Sequence, residues 1–218
     1  MSSIAVIDGG LGDALAAFAT ALRVPVLLAA VAVLLLCAFE LGRFGSELWR
    51  RRRARPYDLT AVALAAFADP LNAAAFAWRA PSAFAEEAIL TIAAALAAGR
   101  PADVEPALAR YEIAVQRRLD RTRILVRAGP AIGLMGTLIP LAPGLESLAE
   151  GHVARLAEDL RDAFVATVVG LLVGTVAFAL TLHRTRLYSE DLAALERAAE
   201  PFGVPSGPQP VPLAGGVA

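Results

Sequence analysis

The stretch GPAIGLMGTLIPLAPGL, residues 129–145, holds the pattern on which the fold assignment of this sequence depends. It is apolar enough to lie in a membrane, yet it contains four glycines and three prolines. Its only side-chain hydroxyl belongs to Thr137. Glycine and proline are the least favourable residues in an ordinary helix interior, so the surrounding sequence has to explain why they cluster around one polar atom.

Composition indicates a membrane protein. The 218 residues are 57% hydrophobic but only 6% aromatic, and the mean hydropathy of +0.59 is high for a soluble domain. A net charge of -1 gives no global electrostatic reason to expect a nucleic-acid partner. One cysteine, Cys37, and two distant histidines, His152 and His183, predict no disulfide, metal site or cofactor. Motifs for a catalytic triad, a P-loop or dinucleotide binding are absent, so we predict no enzyme.

Three segments are apolar enough to cross a bilayer, which takes about 20 helical residues. They are residues 24–41, 124–148 and 160–182. Asp8 and Asp13 precede the first segment and arginines follow it, so this segment is predicted to be a retained anchor rather than a signal peptide.

All basic residues are arginine, and they cluster beside the predicted spans at 43–55, 117–127 and 183–186. The positive-inside bias places these clusters in the cytoplasm. The N-terminus and the connection 146–159 are then outside, in a multi-pass protein of the cytoplasmic (inner) membrane with a cytoplasmic C-terminus. The run RRRRAR is also compatible with phosphate binding, but its position directly after a span favours contact with lipid headgroups.

The remaining segments are predicted to be largely helical. The alanine-rich stretches 59–78 and 88–99 are expected to form helices outside the bilayer, and a helix starting near 101–103 meets no breaker until Gly129, so it should continue into the second span. The predicted division of the chain is 1–23 extracytoplasmic segment with a short amphipathic helix, 24–41 first span, 42–123 cytoplasmic helical insertion, 124–148 second span, 149–159 outer loop, 160–182 third span, 183–202 cytoplasmic helical extension and 203–218 disordered tail.

Small residues share one face in each of the last two spans, and such faces let helix backbones approach closely in lipid. The glycines do not reveal whether the contact lies within the subunit, between subunits or against a third protein. Paired prolines are expected to kink the outer half of the second span. The packing residues are Gly129, Gly133, Gly136, Gly170 and Gly174, and the kink residues are Pro140 and Pro143.

Three polar residues in these spans have alternative interpretations. Thr137 and Thr167 can each bond a backbone carbonyl of their own helix and do nothing more. Asp162 lies near the outer end of the third span, where it is either a solvated helix-start residue beside Arg161 or a functional acid.

Two segments resemble the signature elements of the MotA/TolQ/ExbB proton-channel family, most closely its ExbB and TolQ branch. In that branch the second span carries Gly-Leu-x-Gly-Thr, and the third carries an acidic residue five positions before Ala-Thr-x-x-Gly-Leu. The matching positions here are Gly133, Leu134, Gly136 and Thr137, followed by Asp162, Ala166, Thr167, Gly170 and Leu171. The sequence departs from that pattern at Pro140 and Pro143, and it has aspartate in place of the branch's glutamate.

The resemblance implies an all-α membrane protein with three spans, the second and third extended into the cytoplasm, assembled as a homopentamer. It implies a proton-conducting motor subunit that acts through a single-span partner of the ExbD/TolR/MotB type carrying an essential aspartate. Thr137 and Thr167 would then face that aspartate, and Asp162 would be a titratable group near the outer mouth of the pore. A non-conducting membrane scaffold and, less favoured, a transporter subunit are the alternatives.

Overall fold

A computed structural model describes residues 2–54 and 57–202, with the side chains of residues 2–20, 23, 142 and 146 left out of the description. The described ranges are helical and contain no strand. Short 3-10 turns lie at Pro70–Asn72, Pro101–Asp103 and Glu200–Phe202. The α-helices are α1 Ser2–Ala54, α2 Leu59–Ala68, α3 Ala74–Ala77, α4 Ala83–Ala97, α5 Val104–Ala149 and α6 Val153–Ala199.

Three of these helices are long and apolar enough to cross a membrane. The qualifying segments are Val24–Ala54 in α1, Pro101–Ala149 with α5, and Val153–Phe202 with α6. The all-α class and the three candidate spans are therefore confirmed. The segment predicted as a short N-terminal helix belongs to α1, which begins at Ser2, and the predicted disordered tail 203–218 lies outside the described residues.

Helix α5 has no strong breaker between its first turn and Gly129, and it continues through the glycines and prolines that follow. It starts after the turn Pro101–Asp103 and runs for 46 residues without interruption, although Pro130, Pro140 and Pro143 lie inside it. One continuous helix here was predicted, and the structure confirms it. The helix ends at Ala149, and in the turn that follows, Gly151 has a φ of +84°, a left-handed backbone conformation that glycine adopts without a steric penalty.

The chain divides into two compact units. The span unit consists of Met1–Leu41 and Thr122–Leu180, and the insertion unit consists of Gly42–Arg121 and Thr181–Ala218. The insertion unit buries an alanine-rich core in which larger side chains such as Phe67, Ile89 and Leu195 fill the space between close-packed helices. The predicted helix at 88–99 lies largely in α4, whereas the stretch 59–78 divides at Asp69 and Pro70 into α2, a 3-10 turn and α3, and both stretches contribute to this core.

A buried ion pair links the two sequence segments that form the insertion unit. The Arg51 guanidinium donates to both carboxylate oxygens of Asp191, at 3.0 and 2.7 Å. The Ser82 hydroxyl caps α4 by accepting from the Ala85 N–H at 3.1 Å and donates to Asp191 at 3.2 Å. Burial alone lowers the pKa of Arg51, but the hydrogen bond and charge of Asp191 outweigh it, so the pKa is raised and the cation persists.

A tyrosine extends the same network. The Tyr188 hydroxyl donates to Glu47 Oε2 at 3.1 Å. Burial, together with the charge of Glu47, raises the pKa of Tyr188 well above its ordinary value, so this hydroxyl remains protonated and able to donate. These residues were not predicted as a cluster, because Arg51 and Asp191 are 140 positions apart in the sequence.

Replacing Asp191 with alanine tests this network. The change removes the bidentate carboxylate partner of the buried Arg51 cation and leaves only the more distant Glu47 carboxylate at 3.6 Å, which is expected to cost about 3 kcal/mol of unfolding free energy. Denaturant unfolding of the purified subunit in detergent measures the effect. Glu190→Ala is the matched control, since Glu190 is exposed on the same helix, and equal losses from both variants would contradict the assignment.

Candidate functional site

The glycines of α5 and α6 face one another inside the span unit. A Cβ atom added to Gly170 would lie 2.5 Å from the Gly129 carbonyl oxygen and 2.8 Å from the Gly133 Cα atom. A Cβ atom on Gly129 would lie 2.7 Å from the Gly170 oxygen. These neighbours are backbone atoms that cannot move aside, so only glycine fits, and the helices meet through reciprocal Cα–H···O contacts.

The glycines at the two ends of this interface lie closest to side chains, rather than backbone atoms, of the opposite helix. A Cβ atom on Gly136 would lie 2.6 Å from the Ala166 Cβ atom. At the other end, a Cβ atom on Gly174 would lie 2.8 Å from the Cγ atom of Pro130, whose ring covers this glycine. Sequence reasoning left the contact partner of the glycine faces open, and the structure places this contact within one subunit. Sequence reasoning did not predict the role of Pro130, because nothing in the local sequence pattern distinguishes this proline from Pro140 and Pro143.

The two candidate threonines lie beside this interface, and both are half-buried. The Thr137 hydroxyl donates to the Leu134 carbonyl of its own helix at 2.7 Å. The Thr167 hydroxyl instead reaches across to the Gly133 carbonyl of α5 at 3.5 Å. Because Gly133 precedes Thr137 by one helical turn, the structure brings the two threonines to the same region of the α5–α6 pair.

Asp162 lies in a different groove from Thr137. The groove that includes Thr137 is formed by α5 and α6 alone, with Pro140, Leu156 and Phe164 among its lining residues. Asp162 instead lines a small cavity to which α1 also contributes, through Val26 and Leu27. The Asp162 carboxyl group and the Thr137 side chain therefore line different grooves, which have Pro140 in common.

The first span, in α1, packs against α5 and α6 through a small apolar cluster. Cys37 of α1 contacts Leu125 of α5 together with Val173 and Ala177 of α6 in this cluster. Much of the remaining surface of the spans is apolar and exposed, for example at Leu138, and such a surface indicates contact with lipid or with other subunits. Among the described residues, no group of three or more histidine, cysteine or acidic side chains could hold a metal ion.

A family model described as the MotA/TolQ/ExbB proton channel family matches residues 87–196, which is half of the chain and includes both signature segments. The chain belongs to this family. Comparison with curated proteins gave no match, and comparison with solved structures gave none. As a MotA/TolQ/ExbB protein it is a multi-pass inner-membrane subunit of proton-channel type, from a family of channel and transducer proteins that work with single-span partners.

Replacing Gly170 with alanine tests the close approach of α5 and α6. The added methyl group would clash with backbone atoms of α5, and overpacking of this kind is expected to cost about 1–3 kcal/mol. Thermal unfolding of the purified subunit in detergent measures the loss.

The control is Gly45→Ala in α1, where an added Cβ meets nothing within 4 Å. There alanine should be neutral or stabilise the helix by about 0.5–1 kcal/mol. A Gly170→Ala protein that unfolds at the temperature of the Gly45→Ala protein would rule out the tight interface.

Proposed function

We propose that this chain is the proton-conducting subunit of a membrane motor that couples the proton-motive force to mechanical work through a single-span partner. The observation that carries the proposal is the placement of Thr137 and Thr167 in one region of the α5–α6 pair, in a chain of the MotA/TolQ/ExbB family. Five copies, with their α5–α6 pairs turned inward, would surround the partner helix with rings of hydroxyl groups.

Threonine suits a site that meets a partner's aspartate in both protonation states. Each hydroxyl currently donates to a backbone carbonyl, which leaves the lone pairs of Oγ1 free to accept from a protonated carboxyl group. Rotation about χ1 redirects the O–H group toward an ionised carboxylate. The hydroxyl therefore stabilises both states without introducing a charge into the apolar spans.

Proton passage supplies the energy for the work. One elementary charge that crosses 100 mV releases about 2.3 kcal/mol, which is enough to bias a rotation or a register shift between two packed arrangements. Asp162 at the outer end of α6 is the titratable group of the chain in this pathway. The small residues Gly133, Gly136 and Gly170 form the wall against which the hydroxyls are held. The proposed orientation has the N-terminus outside and the arginine clusters in the cytoplasm.

A non-conducting scaffold is the second candidate function, and one observation favours it. The Thr137 hydroxyl makes the 2.7 Å bond to its own helix that threonine commonly makes in membrane helices. In a scaffold the glycine interface would only hold the spans together. Native mass measurement of the subunit purified with a co-expressed single-span protein separates the two, because the motor requires a stable complex of several copies around that partner.

Thr167→Val tests the hydroxyl ring. Valine keeps the shape and removes the hydroxyl, so the subunit should assemble normally and lose proton-driven output. Thr175→Val is the matched control, since Thr175 is exposed on the same helix and bonds only the Leu171 carbonyl at 2.8 Å. Proton-driven output in cells is measured beside the amount of assembled complex, and full output from Thr167→Val would favour the scaffold.

Asp162→Asn tests the acid. The amide keeps nearly the same volume but cannot exchange a proton, so proton flux through the reconstituted complex should fall while the subunit remains folded. Glu158→Gln, an exposed position one turn earlier, serves as the control. Flux measured with a pH-sensitive dye in vesicles decides the point, and unchanged flux in Asp162→Asn would remove this residue from the mechanism.

A further inference from the structure

Two prolines in α5 remove hydrogen bonds at neighbouring positions. Proline has no backbone N–H, so Pro140 cannot donate to the carbonyl of Gly136, and Pro143 cannot donate to the carbonyl of Ile139. A carbonyl without a donor is costly in a bilayer, where it has to be satisfied by a neighbouring helix, a hydroxyl group or ordered water.

Both of these carbonyl-bearing residues line one small cavity. Gly136 and Ile139 surround it together with Pro140, the acidic residue Asp162 of α6, and Val26 and Leu27 of α1. Its volume is about 30 Å³, and about 10–15 Å³ is enough to hold one water molecule. The cavity therefore combines room for a water molecule with lining residues that carry three acceptor groups, namely one carboxyl group and two backbone carbonyls without a helical donor.

We propose that this cavity is a water-binding site, in which one water molecule bridges the Asp162 carboxyl group and the proline-freed carbonyl oxygens of Gly136 and Ile139. A buried water molecule makes about three hydrogen bonds, and this site supplies three partners from two helices. The apolar side chains of Val26 and Leu27 close the cavity on the side of α1.

The water can bond to the acid in both of its protonation states. When Asp162 is protonated, its O–H group donates to the water, and the water donates to the two carbonyl oxygens. When Asp162 is ionised, the water donates to the carboxylate and to one carbonyl. The same water can therefore remain hydrogen-bonded to Asp162 in either protonation state of the acid.

The site lies beside the first span, in a groove separate from that of Thr137. In the proposed motor it would give Asp162 a hydrogen-bond partner on the α1 side of the α5–α6 pair. This consequence rests on the proposed function, whereas the water site itself does not.

X-ray hydroxyl-radical footprinting of the purified subunit, without a partner, tests the site. Radicals formed from a bound water label adjacent side chains, and mass spectrometry reads the labelling rates of Ile139 and Leu27. The reference is Leu134, an exposed residue of α5 in the apolar span. The wild-type protein should label Ile139 and Leu27 above Leu134. The double variant Pro140→Ala/Pro143→Ala restores both backbone N–H groups and should lose that excess.

Pro130→Ala is the matched control, because it restores an N–H group in the same helix at a position away from this cavity. It should label as the wild type does. The single variants Pro140→Ala and Pro143→Ala each restore one donor and should each lose part of the labelling, which keeps the test valid if the double variant folds poorly. Absence of excess labelling in the wild type, or undiminished labelling in the proline variants, would overturn the proposal. Neither result depends on proton flux, so the proposed function is tested separately.

Discussion

The backbone contact between α5 and α6 is the constraint on which the rest of the span unit depends. In lipid, burial of apolar surface gives helices little reason to associate, so association has to come from close contact and polar interactions. Gly129 and Gly170 supply that contact, since each occupies the space that a Cβ atom of the other would need. A contact this tight fixes the rotation of each helix about its own axis, and thereby decides which side chains point to which flank.

The fixed rotation of the two helices places the Thr167 hydroxyl and the Asp162 carboxyl group in different surroundings. Thr167 lies against the Gly133 carbonyl, while Asp162 lies in the cavity that α1 helps to form. Hydroxyl groups without charge are suited to a surface that faces a foreign helix, because they tolerate an acid in either protonation state. In the proposed water site, the Asp162 carboxyl group would share a water molecule with the proline-freed carbonyls. The placement of each group thus agrees with the different requirement that its chemistry imposes.

Sequence patterns were sufficient for the features that depend on neighbouring residues. Apolar runs predicted the three candidate spans, the absence of a breaker before Gly129 predicted that α5 continues into the second span, and small residues at helical spacing predicted the packing faces. Sequence patterns were insufficient for contacts between residues that are far apart in the sequence. No spacing rule connects Arg51 with Asp191 across 140 positions, and none reveals that Thr167 bonds to α5 while Thr137 bonds to its own helix. The single-chain geometry likewise leaves the placement of the hydroxyls against a partner helix as a proposal.

The three prolines of α5 show why residue counts alone are insufficient. Each removes one N–H group from the helix, but the carbonyls they free have different surroundings. The Val126 carbonyl freed by Pro130 faces Gly174, where an added Cβ would lie 3.4 Å from it, so a Cα–H group of the neighbouring helix can approach it. Gly136 and Ile139, whose carbonyls have no helical donor because of Pro140 and Pro143, instead line the cavity to which Asp162 contributes a carboxyl group. The same residue type therefore contributes to a tight helix contact at one position of α5 and to a cavity lined by an acidic side chain at another.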